Sequence, residues 1–111
     1  MLLEGSFTRI ADMVDLPGKE LAAILRQGAL LRLPFLEERL LQAREQVERF
    51  EERYGMTLDV LKSQGLPEDA DYAMHEDFIE WEYWEDVLRE KDMTVKGVKA
   101  FLKHVEASID S

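Results

Sequence analysis

The sequence has no cysteine at all. That excludes a disulfide framework, a Cys-based zinc site and a thiol nucleophile, and nothing points to an oxidising compartment. Histidine occurs twice and proline three times among 111 residues. Two histidines leave little to build a Ser/His/Asp set from, and no Gly-rich phosphate loop is present. Apolar runs are short, as in Gly28-Ala29-Leu30-Leu31, so neither a transmembrane span nor a signal-peptide core is expected. A soluble, cytoplasmic protein is the default expectation. The length suits one small domain, which buries only about 60–70 % of its unfolded surface and so gains from a partner.

What the chain has in excess is acid: 24 Asp and Glu against 14 Lys and Arg, a net charge of −10. Such a balance disfavours nucleic acid or an anionic membrane as the main partner and favours something basic. The excess is local. Residues 1–33 carry four acids and four bases, 34–67 seven and five, 68–92 eleven and two, and 93–111 two and three. From Tyr54 to Leu88 the one base is Lys62.

The periodicity is helical throughout, with no sustained alternation and no Asn-Gly or Asp-Gly hairpin signal. The expected fold is therefore all-α, a single domain over 1–111 of about five or six helices. It divides into an N-terminal helical pair (1–33), a central heptad helix with a short helix (34–67), and an acidic aromatic helix with a C-terminal amphipathic one (68–111). Ser6 caps a first helix bearing Phe7, Ile10, Ala11 and Val14, and a second covers about 17–27 and pauses at Gly28. Pro34 suits the first residue of the central helix, because its missing N–H costs nothing there. In that helix Leu33, Leu36, Leu40, Ala43, Val47, Phe50 and Tyr54 repeat at 3, 4, 3, 4, 3, 4, an a/d seam. A seam of this kind needs a partner, either a helix of the same chain or its own counterpart in a homodimer. Gly55 stops the helix, Thr57 caps the next, and Gly65 and Pro67 end it. An acidic helix follows over about 70–91. Thr94 is then expected to cap the last helix, about 95–109, with Val95, Val98, Leu102, Val105 and Ile109 on one side and Lys96, Lys99 and Lys103 on the other.

Between Glu68 and Asp86 nine carboxylates interleave with five aromatics, Tyr72, Phe78, Trp81, Tyr83 and Trp84. Met74, Phe78, Trp81 and Leu88, joined by Trp84 and Val87, form an ordinary core stripe. The acids do not follow from core geometry. Like charges at helical spacing, such as Glu76–Glu80 and Glu82–Glu85, cost a few tenths of a kcal/mol per pair. Bases supplied by another molecule would relieve that repulsion. The segment is accordingly expected to bind a basic protein partner through Tyr72, Asp77, Phe78, Glu80, Trp81, Glu82, Tyr83, Trp84 and Glu85.

The string from Phe50 to Asp86, FEERYGMTLDVLKSQGLPEDADYAMHEDFIEWEYWED, contains Phe-Glu-x-Arg-Tyr-Gly-Met, a short helix with a leucine pair, an acidic turn and an acidic aromatic helix. It resembles small antitoxins of prokaryotic type II toxin–antitoxin modules, of the kind encoded beside TumE-like toxins. The resemblance covers about residues 34–90. It implies an all-helical, non-enzymatic antitoxin that binds and neutralises a cognate toxin acting on RNA, often with autoregulation of the operon.

Other constellations carry less. Ala11, Leu16-Pro17, Glu20-Leu21 and Ile24-Leu25 fall near the positions of a helix-turn-helix over residues 6–27, with Arg9, Lys19 and Arg26 as DNA contacts. Asp15 stands where the turn glycine belongs, and acids balance the bases, whereas a reader of DNA is basic on one face. Asp71, His75 and Glu76 lack the loop geometry of a metal site. No metal or cofactor is expected. A structural coiled-coil module with a solvated acidic face is the reading from another class.

Overall fold

A computed structural model describes residues 17–110, with side chains to residue 107. The described residues form three helices, α1 (Gly18–Tyr54), α2 (Leu58–Gln64) and α3 (Tyr72–Asp110), and no strand. Among the described residues all-α holds, but three helices stand there rather than the larger number expected. The helix over residues 6–14 falls outside the described residues.

Both long helices arise because an expected break is bridged. Pro34 lies inside α1 rather than at its start, and Gly28 does not interrupt it. The reason is phase. Leu21, Leu25, Ala29, Leu33, Leu36, Leu40, Ala43, Val47, Phe50 and Tyr54 keep to one side of a single helix, and each is buried or half-buried. Pro34 deprives the Leu30 carbonyl of its helical donor, but both residues are exposed, where water can serve that carbonyl. Continuing one buried face outweighs one lost hydrogen bond. Thr94 likewise sits within α3 rather than capping a separate helix. Trp81, Trp84, Leu88, Lys91, Val95, Val98, Leu102 and Val105 run at 3, 4, 3, 4, 3, 4, 3 without a change of register, so nothing tells the chain to stop.

The ends of α1 and α2 are set by the expected residues. Gly55 takes a left-handed φ of 67° and its N–H returns to the Glu51 carbonyl at 2.7 Å. Thr57 Oγ1 accepts from Val60 N–H at 3.3 Å, and Gly65, with φ 79°, donates to the Leu61 carbonyl at 2.8 Å. Asp71 caps α3, its Oδ1 accepting from Met74 N–H at 2.9 Å.

The chain divides into two compact units, residues 37–93 and residues 1–36 with 94–111. The short α2 packs into the same core as α3. In the first unit, Ala43, Val47 and Phe50 of α1, Leu58 and Leu61 of α2, and Trp81, Trp84 and Val87 of α3 make one buried cluster. Trp81 is fully buried, stacked between Phe50 (centroids 5.6 Å, 17°) and Tyr54 (5.7 Å, 16°). The other unit buries Leu21, Leu36, Val95, Leu102 and Val105. Of the heptad seam, Leu36, Leu40, Ala43, Val47 and Phe50 are buried within the chain, and Leu33 and Tyr54 are half-buried. No helix among the described residues is long and apolar enough to cross a membrane.

Candidate protein-binding face

Within the 37–93 unit, α3 turns the stripe headed by Trp81 into the core, and the opposite side of the same helix is what the chain presents to solvent. Three of the expected contact residues are corrected by this geometry. Trp81 and Trp84 are core residues, and Phe78 is half-buried against the same cluster. Their apolar area is spent, wholly for the tryptophans and in part for Phe78, on the buried cluster.

Several of the acids find bases inside the chain, where the sequence suggested that the bases come from elsewhere. Asp77 Oδ2 accepts from Arg53 at 2.6 Å and from the Tyr54 hydroxyl. Glu82 pairs with Lys62 of α2 at 3.1 Å, Asp92 with Arg44 at 3.6 Å, and Asp86 with Arg89 at 3.0 Å. The α1 arginines are thus brought to α3, a pairing across distant sequence that segment counting does not reveal. The Tyr54 hydroxyl, followed by Arg53, holds the Asp77 carboxyl below its ordinary value. Burial, reinforced by Asp77, pushes the Tyr54 hydroxyl up.

These pairs leave the unit far from neutral. Residues 37–93 hold 18 acids and 7 bases, a net −11, while the rest of the chain carries +1. Three carboxylates from three helices, Glu51, Asp59 and Glu85, close no ion pair among the described residues. Partial burial, then the negative charge of Glu51 and of Asp59, pushes the Glu85 carboxyl above its ordinary value. The Trp81 indole N–H opposes that shift without closing a hydrogen bond, and its nitrogen is a buried donor with no partner among the described residues.

On the outer side of α3, Tyr72, Glu76, Ile79, Tyr83, Asp86 and Glu90 repeat at 4, 3, 4, 3, 4. Tyr72 is 79 % exposed, Ile79 63 % and Tyr83 50 %, with exposed Glu80 alongside. Tyr83 is held in place: its hydroxyl accepts from Arg39 at 2.7 Å, its ring meets Trp84 edge-on at 5.1 Å, and the Arg39 guanidinium lies 4.9 Å from the Trp84 ring. Large apolar and aromatic side chains alternating with carboxylates on a rigid helix suit a basic surface with apolar pockets. Glu76, Ile79 and Asp86 are not among the residues expected from the sequence, although the spacing from Tyr72 to Asp86, opposite the tryptophans, carries the signal.

Of the DNA contacts, Arg9 and the first half of the helix-turn-helix lie outside the described residues. Lys19 is exposed, and Arg26 is paired with Glu106 at 3.5 Å. Among the described residues no group of three His, Asp or Glu could hold a metal ion, and His75 stands exposed. No family model, curated protein or solved structure matches the chain.

Proposed function

We propose that the chain is a non-enzymatic, cytoplasmic antitoxin that neutralises a basic cognate toxin acting on RNA by covering it with the outer face of α3. The observation that carries this reading is the combination of net −11 in residues 37–93 with an exposed stripe of Tyr72, Ile79 and Tyr83 set among Glu76, Glu80 and Asp86. The aromatic and aliphatic side chains supply most of the affinity on desolvation, and the carboxylates set the on-rate and the choice of a basic partner. The contact set differs from the sequence-based one. Tyr72, Glu80 and Tyr83 stay, Ile79, Glu76 and Asp86 join, and Trp81, Trp84 and Phe78 act as the core that stiffens the helix. Asp77 and Glu82 serve packing within the chain through Arg53, Tyr54 and Lys62.

The test is genetic and then physical. A small basic protein encoded in the adjacent gene is expected to arrest growth when expressed alone and to be silent when this chain is co-expressed. Replacing Ile79 by Arg together with Glu76 by Lys, both at exposed positions, is expected to abolish rescue while leaving helicity unchanged. If the doubly substituted chain rescues as well as the original, the outer face of α3 is not the contact.

A further inference from the structure

The unit formed by residues 1–36 and 94–111 presents a surface of opposite character. From Leu21 to Leu36, α1 contains two charged residues, Arg26 and Arg32, and is apolar nearly all round. A helix with that composition is ordinarily enclosed on every side. Here the side carrying Leu21, Leu25, Ala29 and Leu33 is covered, but Ile24, Leu30, Leu31 and Phe35 are exposed, Leu31 by 74 % and Phe35 by 65 %. Such a contiguous apolar patch marks a contact surface.

Ile24, Gly28, Leu31 and Phe35 are spaced 4, 3, 4 and share one narrow face of α1. At its centre a flat spot adjoins the most prominent knob, since a Cβ on Gly28 would meet nothing within 4 Å. The pattern is its own complement when reversed. In an antiparallel pairing about a two-fold axis between residues 29 and 30, Leu31 of each copy lands on Gly28 of the other, and Ile24 on Phe35. Charge points the same way. The 37–93 unit, at −11, repels a second copy of itself, whereas the unit bearing this stripe carries +1 and offers neither repulsion between copies nor steering toward a strongly charged partner.

We infer that two copies of this chain associate through the outer face of α1, by an isologous antiparallel contact centred on Gly28 and Leu31. The heptad seam takes no part in it. The inference stands apart from the antitoxin reading, because it uses neither α3 nor a basic partner.

Sedimentation equilibrium on the full chain tests it. The unmodified chain is expected to be dimeric at micromolar concentration, and Leu31→Glu is expected to weaken the dimer at least about thirtyfold, the loss typical of a central contact. A monomeric unmodified chain, or a dimer indifferent to Leu31→Glu, overturns the inference. Should Leu31→Glu lose helicity by circular dichroism, cross-linking decides instead, helped by the absence of native cysteine. Mixing Gly28→Cys with Leu31→Cys chains is expected to give a disulfide-linked dimer under mild oxidation. The control mixture of Gly28→Cys with Glu45→Cys is expected to give little. Equal yields from the two mixtures, as another partner-binding role for the stripe would produce, count against the dimer. The Glu76→Lys and Ile79→Arg chain, which tests toxin binding, is expected to dimerise normally.

Discussion

Trp81 and Tyr83 are two residues apart on α3 and do opposite work. Trp81→Ala would empty the space between Phe50 and Tyr54, and a loss of about 3–5 kcal/mol is expected by chemical denaturation. Tyr83→Ala removes an exposed ring, so stability is expected to change little while affinity for the basic partner falls about tenfold, as titration calorimetry would show. The aromatic enrichment of this segment was plain in the sequence. Which rings face inward is a matter of helical phase, and the stripe of Met74, Phe78, Trp81 and Leu88 already implied it. What no local pattern held was the set of partners from afar, namely Arg39 on Tyr83, Arg53 and Tyr54 on Asp77, and Lys62 on Glu82. Two carboxylates give opposed pH signatures. Asp77 is held below 3.8 in the fold, so it adds stability that is present above 3.8 and is lost as pH falls through its lowered value. Asp77→Asn is therefore expected to destabilise at neutral pH and to match the unmodified chain in strong acid. Glu85 is held above 4.5, so the fold favours its protonated form, and a penalty grows as pH rises through 4.5 to the raised value. Denaturant midpoints at several pH values are expected to show Glu85→Gln stabilising at neutral pH and neutral below 4.5.

Helix ends written in side-chain chemistry were legible, and those inferred from an interruption were not. Gly55, Thr57 and Gly65 end or start a helix where their conformations and hydrogen bonds require it. Pro34, Gly28 and Thr94 suggested breaks, but each sits in a stretch whose buried positions keep their register, and a continuous face decides the outcome. Glycine and proline inside the long helices retain a local cost. Gly97 lies in the interior of α3 with open space where a Cβ would be, so Gly97→Ala is expected to stabilise by about 0.5–1 kcal/mol in thermal unfolding. Pro34→Ala restores the donor for the Leu30 carbonyl, and a gain of up to about 3 kcal/mol is expected from the same measurement.

For the whole molecule the decisive quantity is the division of charge, −11 in residues 37–93 and +1 in the remainder. The excess of acid lies in residues 68–92, and the structure adds that the acids of α1 from Glu37 to Glu52 belong to the same unit as those of α3 up to Asp92. Binding of a basic partner is expected to weaken as salt rises from low to physiological ionic strength, where the screening length contracts to about 8 Å. Self-association through the apolar face of α1 is expected to hold steady or strengthen over the same range, so one salt titration separates the two contacts.

Both tryptophans, Trp81 and Trp84, belong to the 37–93 unit, and the other unit has none. Intrinsic fluorescence is therefore blind to half of the architecture, while far-ultraviolet circular dichroism sees the full lengths of α1 and α3. With only Leu21, Leu36, Val95, Leu102 and Val105 buried among the described residues of the tryptophan-free unit, ellipticity is expected to fall at lower denaturant than the emission shifts. The gap between the two midpoints would measure how far the helices fray before the stacked rings of Phe50, Trp81 and Tyr54 come apart.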